Sequence, residues 1–170
     1  MSLKAKSVSG LRRPVFAERG THRRDTKMSR YWVFASDPAV YHWDTLFVKG
    51  KELWSNIRSA KAQRYLKQVR KGDHAICYHG APVRVVYALA QVASDPYPNP
   101  HAPAGNLLVV DLKADRVLPR PVLYKELKLN RALRKMKLLA EPRLPLSPVS
   151  EEIYNEVLRM AGLPAVPMLR

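Results

Sequence analysis

The 170-residue chain is poor in several residue types that would commit it to common designs. It has one cysteine, Cys77. That excludes an internal disulfide framework and an all-cysteine zinc site, and it fits a reducing compartment. Its seven glycines are scattered and form neither G-x-x-x-x-G-K-[ST] nor G-x-G-x-x-G. The loops that cradle nucleotide phosphates are therefore missing, and nucleotide hydrolysis is not expected. No run approaches the roughly 20 apolar residues that span a bilayer, and the N-terminus lacks the apolar core of a secretory signal. A soluble, cytoplasmic protein is expected. Acidic residues are scarce: 14 Asp plus Glu face 30 Lys plus Arg, a net charge of +16. Such an excess in a small chain points first to nucleic acid as partner and only second to an anionic membrane surface.

What is present is the ordinary material of one globular domain, 46% apolar and 26% charged. The charge is not uniform. Residues 1–30 hold nine basic and two acidic residues without sustained apolar periodicity, which reads as a mobile basic tail. Met28, followed by Ser29-Arg30-Tyr31, reads as an alternative start. The remaining 140 residues still carry +9, so the folded part, expected over residues 31–165, is basic in its own right.

Tyr31 to Ala35 is aromatic and β-branched and stops at Ser36-Asp37-Pro38, the pattern of a strand ended by a turn. Tyr41 to Val48 reads as a short helix closed by Gly50. Lys61 to Arg70 reads as an amphipathic helix with Ala62, Tyr65, Leu66 and Val69 on one side. Its other half carries Lys61, Arg64, Lys67, Arg70 and, just beyond, Lys71, and no acid lies between Glu52 and Asp73. These five are the candidate phosphate contacts. Lys71-Gly72-Asp73 is a turn into a strand at His74–His79, and further strands are expected at 83–93 and 107–117, separated by a proline-stiffened loop. After Pro119-Arg120-Pro121 the pattern turns helical through Leu129, Leu133 and Met136, with Lys128, Arg131, Arg134, Lys135 and Lys137 around them. A final helix starts at Ser150, a good N-cap. Interspersed strands and helices give an α+β class, a small curved sheet or barrel with flanking helices.

Catalytic constellations are weak. His74, Cys77 and His79 cluster without a fourth metal ligand, so no metal or other cofactor is expected. Asp111 and Asp115 share a strand face but stand about 13 Å apart at 3.3 Å per residue, too far for a retaining carboxylate pair. Aromatics placed among basic helices are more informative. Trp32 and Trp43 read as core, whereas Trp54 precedes the polar connection Ser55 to Ser59, where its indole could stack on a base.

The order of short motifs along the chain resembles the EVE domain. It consists of Tyr31-Trp32, Ser36-Asp37-Pro38, Trp43-Asp44-x-Leu46, Trp54-x-x-x-Arg58-x-x-x-Ala62, Lys71-Gly72-Asp73, Tyr78-His79, Tyr97-Pro98-x-Pro100, Leu118 to Val122 and Arg143-Leu144-x-x-x-Pro148-Val149. The resemblance implies a PUA-like fold, a small β-barrel with helices around it, related to the YTH readers of methylated adenine. It implies a non-catalytic module that accepts a modified base in an aromatic-lined pocket. The implied lining is Ser36, Asp37, Trp54, Arg58, Ser59, Tyr78 and Arg143. Where the family has Lys-Ser-Glu-Pro, this chain has Ala35-Ser36-Asp37-Pro38. Two family residues after Arg58 are replaced by Ser59 and Ala60, and a serine by Pro145, which implies a reshaped pocket.

The expected partner is thus DNA or RNA carrying modified bases, bound by a monomer without membrane involvement. Trp54 would stack, Ser36, Asp37 and Ser59 would read the base edge, and the basic helix would hold phosphates. Two alternatives are an RNA-acting enzyme with Asp37 or His79 as general base, and an accessory scaffold whose basic surface binds an acidic protein.

Overall fold

The computed structural model describes residues 30–102 and 105–166. The expected basic tail lies outside them except for Arg30.

Alternation along β1 (Tyr31–Ser36) decides the architecture. Trp32 and Phe34 enter one buried cluster and Val33 another, so the strand is covered on both faces. It pairs in parallel with β3 (His74–His79), Phe34 opposite Cys77, and β3 pairs antiparallel with β4 (Val85–Val92). A parallel pair cannot be joined by a hairpin and needs a long crossover. Here residues 37–73 make it, carrying α1 (Asp44–Lys49), β2 (Lys51–Trp54) and α2 (Ala60–Leu66).

The remaining strands are β5 (Tyr97–Pro98), β6 (Leu108–Leu123) and β7 (Leu146–Val149). The sheet order is β2-β6-β4-β3-β1-β7, with β5 paired to β6. The path ends at β2 and β7. The expected small barrel is therefore, among the described residues, an open seven-stranded mixed sheet with flanking helices, bent by bulges in β4 and β6. Helix α2 packs on both β6 and β7.

On the crossover side, β3 and β4 present small residues: Ala75, Cys77, Ala88 and Ala90. Their size leaves room for Trp32, Trp43 and Trp54, all fully buried there. The opposite face presents Val33, Ile76, Tyr78, Val86 and Leu89. It is covered by α3 (Tyr124–Leu129), a 3-10 turn (Arg131–Leu133), α4 (Lys137–Ala140) and α5 (Glu151–Met160). Ser150 caps α5 as expected, its hydroxyl accepting the Ile153 N–H at 3.2 Å.

The first helix begins at Asp44 rather than Tyr41, strands β2 and β5 were not expected, and two further differences have a clear physical cause. Strand β6 continues through Pro119 and Pro121 to Leu123, where a helix was expected to begin. Val117 pairs with Ala88 and Val122 with Val86, so both prolines fall in a bulge that demands no ladder hydrogen bond of them. Helix α2 ends at Leu66 rather than Arg70, and the Arg70 guanidinium folds back to donate to the carbonyls of Lys67 (2.8 Å) and Val69 (2.7 Å).

Candidate nucleic-acid interface

The connection from Trp54 to Ser59 separates two open grooves. One, of about 450 Å³, lies between Ser59 and the segment Glu141 to Pro145, with Arg143 in its wall. The other, of about 380 Å³, lies between Val40, Tyr41, His42 and Thr45 on one side and Trp54, Ser55 and Asn56 on the other. The seven implied lining residues are divided between these grooves or lie outside both.

Trp54 lines the Tyr41 groove but is only 1% exposed. Trp43 stacks on it, with centroids 4.6 Å apart and planes 14° from parallel, and Tyr41 stands edge-on at 4.9 Å. The indole is therefore not an open stacking platform. The accessible ring is the half-buried Tyr41, and Trp54 backs it. The buried indole N–H of Trp54 has no hydrogen-bond partner among the described residues, a state that costs about 1 to 3 kcal/mol.

Tyr41 is held in place by the turn that follows β1. The Asp37 carbonyl accepts the Val40 and Tyr41 N–H groups at 2.9 and 2.8 Å, and the Asp37 carboxylate accepts the Ala39 N–H at 2.8 Å. The Ser36 hydroxyl donates to the Tyr41 carbonyl at 3.0 Å, and the Tyr41 hydroxyl donates to Glu52 at 3.3 Å. Burial, followed by the Glu52 charge and hydrogen bond, raises the Tyr41 pKa, so the phenol stays a donor. Ser36 and Asp37 thus position Tyr41 with the same polar atoms that would otherwise read a base edge. Sequence reasoning passed over Tyr41, although Asp-Pro is a turn signal that marks this loop.

The other implied residues have different surroundings. Ser59 caps α2, its hydroxyl accepting the Ala62 N–H at 3.2 Å, while also lining the Arg143 groove. Arg143 is exposed on that groove, and Arg58 is exposed on the connection between the two. Tyr78 is buried on the far face of the sheet with Tyr124, their ring centroids 6.3 Å apart, and so faces neither groove.

Of the five candidate phosphate contacts, Arg64, Lys67 and Lys71 are exposed without an ion pair among the described residues. Lys61 is engaged by both oxygens of Glu141, at 2.6 and 2.8 Å, and Arg70 is bent onto the end of its own helix. The basic surface of α2 is therefore narrower than the helical pattern implies.

The two candidate general bases are poorly placed. Asp37 is bound into its turn. His79 is 1% exposed, its Nδ1 3.5 Å from the Ser36 hydroxyl and its Nε2 without a partner among the described residues. Burial, with the nearby His42, pushes its pKa down to about 4, so it is neutral at pH 7 and a weak base. Among the described residues no group of three His, Cys, Asp or Glu side chains could hold a metal ion.

A sequence model of the EVE domain matches residues 30–160. The chain belongs to the EVE domain family. Comparison with curated proteins finds no match. Among solved structures, this EVE domain is similar to Atu2648 from Agrobacterium tumefaciens, with 32% identity over 82% of this chain and 98% of that one and a TM-score of 0.77. It is also similar to Rpa0253 from Rhodopseudomonas palustris, with 33% identity over 78% and 92% and a TM-score of 0.73. Human THYN1, solved in complex with 5-methylcytosine containing DNA, shares the fold at 19% identity over 77% and 96%, with a TM-score of 0.71.

Proposed function

We propose that this EVE domain is a non-catalytic nucleic-acid-binding module that takes a modified base into the Tyr41 groove while exposed cations of α2 hold phosphates. The base enters from a single strand or flipped from a duplex, because its edges are otherwise paired and stacked. The observation that carries this reading is the Tyr41–Trp54 pair: an accessible ring braced by a buried indole, beside polar Ser55 and Asn56. A base stacked on Tyr41 replaces solvent at its face, and an acceptor brought near Trp54 relieves its unpartnered N–H. The DNA complex of human THYN1 supports the class of polymer and the class of modification. The burial of His79 and the engagement of Asp37 favour binding over catalysis.

Fluorescence anisotropy with matched DNA and RNA oligonucleotides, with and without base methylation, tests the reading. Tyr41→Ala is the decisive variant, and it is expected to remove the preference for the modified oligonucleotide. A stacked base contributes about 1 to 3 kcal/mol, so the loss is roughly 5- to 150-fold. Equal, strongly salt-dependent binding of every oligonucleotide by the unaltered chain would overturn base recognition and leave only electrostatic attraction.

A further inference from the structure

A second charge asymmetry in the folded part lies away from α2. Between Lys125 and Lys137 the chain holds six cationic side chains and one carboxylate, Glu126. That carboxylate is already committed, accepting the Leu123 N–H at 2.9 Å and pairing with Arg120. Leu127, Leu133, Met136 and Leu138 are buried in the second core and fix the inward side of this segment. Lys128, Arg131, Arg134 and Lys135 are consequently exposed, and none has an ion pair among the described residues.

The scaffold beneath these cations is tied down. Asn130 accepts the Ala132 N–H at 2.9 Å and donates to Glu156 of α5 at 2.8 Å, while the Tyr124 hydroxyl donates to the Leu139 carbonyl at 3.1 Å. The segment then runs through α4 into Glu141 to Pro145, one wall of the Arg143 groove. The opposite wall is Ser59, the cap of α2, which carries Arg64 and is followed by Lys67. Each wall of the groove is thus continuous in sequence with a cationic element.

We propose that Lys128, Arg131, Arg134 and Lys135 form a second phosphate-binding element, which adds its phosphate contacts to those of Arg64 and Lys67 when the chain binds nucleic acid. A single acidic side chain or lipid headgroup meets one of these cations. A phosphodiester strand presents anions at regular intervals and can meet both elements in one binding event. The inference rests on nucleic acid as the partner, and does not depend on base recognition.

The test uses the full chain and a labelled unmodified single-stranded oligonucleotide, titrated between 50 and about 200 mM salt. It compares a Lys128→Gln, Arg131→Gln, Arg134→Gln, Lys135→Gln variant with an Arg64→Gln, Lys67→Gln variant. Each lost phosphate contact reduces the steepness of log affinity against log salt by about 0.7 for single strands, so the fourfold variant is expected to flatten it by roughly 2 to 3. Its affinity at low salt should fall at least about tenfold, by the same factor for methylated and unmethylated oligonucleotides. The two variants should add. If base recognition fails, the methylation preference is absent from every protein while the flattening remains. An unchanged slope in the fourfold variant overturns the proposal. So does a slope that stays unchanged while binding to phosphatidylserine vesicles is lost. Thermal unfolding within a few degrees of the parent shows that the exposed substitutions spared the fold.

Discussion

Lys61 and Glu141, eighty residues apart in sequence, meet in a forked ion pair of 2.6 and 2.8 Å. Lys137 approaches the same carboxylate at 3.9 Å. The lysine hydrogen bond and charge hold the Glu141 carboxyl below the usual carboxylate range. The pair joins α2 to the chain after α4 beside the Arg143 groove. It also occupies a cation that the helical pattern had assigned to phosphate.

Glu141 is therefore expected to compete with nucleic acid. Glu141→Gln releases Lys61 and Lys137 toward the strand, and binding should become tighter and more steeply salt-dependent by about 0.7 to 1.4 in log–log slope. Anisotropy titration at several salt concentrations reads this directly. Weaker binding would show instead that the ion pair is needed to shape the groove.

Ser59 has a structural task that can be measured apart from binding. Ser59→Ala removes the hydroxyl that accepts the Ala62 N–H and should cost about 1 kcal/mol of stability. Ser59→Asp restores a cap and should recover it. Urea unfolding of the two variants makes the comparison, and equal losses in both would exclude capping as the cause.

The two aromatic residues of the Tyr41 groove should separate stability from recognition. Trp54→Ala opens a cavity beneath Trp43 and is expected to cost about 3 to 5 kcal/mol. Tyr41→Ala removes a half-buried ring and should be distinctly milder in thermal unfolding. If the two variants melt alike, Tyr41 belongs to the core and is not a surface for a ligand.

The His79 ring gives the fold a direction of pH sensitivity. Its pKa in the folded chain is about 4 against an ordinary 6.5, so between these values the unfolded chain takes up a proton that the folded one refuses. Stability is untouched near neutrality, falls as pH drops from 6.5 toward 4, and loses no more through this residue below that. The total is at most about 3 kcal/mol. His79→Phe should flatten that part of the stability profile in urea titrations at stepped pH. A profile parallel to the parent's would place the sensitivity elsewhere.

The elements readable in the chain were those governed by neighbours in sequence. Strand β1 follows from its aromatic and β-branched run stopped at Ser36-Asp37-Pro38, β3 from the turn at Lys71-Gly72-Asp73, and α5 from its serine cap and apolar spacing. The continuation of β6 was not readable, because prolines normally end a strand and only its register with β4 places them in a bulge. The division of the candidate site has two causes. Trp54 reads locally as the edge of a polar connection, but Trp43, arriving from the start of α1, covers it. Tyr78 was within reach of strand alternation, which puts it on the opposite face of β3 from its neighbours Cys77 and His79. The ion pair of Lys61 joins distant segments and leaves no local signal.

The parallel pairing of β1 with β3 makes residues 37–73 an exchangeable cartridge. The register of those strands is set by each other and by β4 and β7. All of the Tyr41 groove and the Ser59 wall of its neighbour ride on the cartridge. If the Tyr41 groove takes the base as proposed, ligand preference can change by replacing one continuous stretch, provided that it keeps Trp43 and Trp54 to fill the hollow over the alanines of the sheet. A graft of the corresponding stretch from a relative is the natural way to carry a base preference from one scaffold to another.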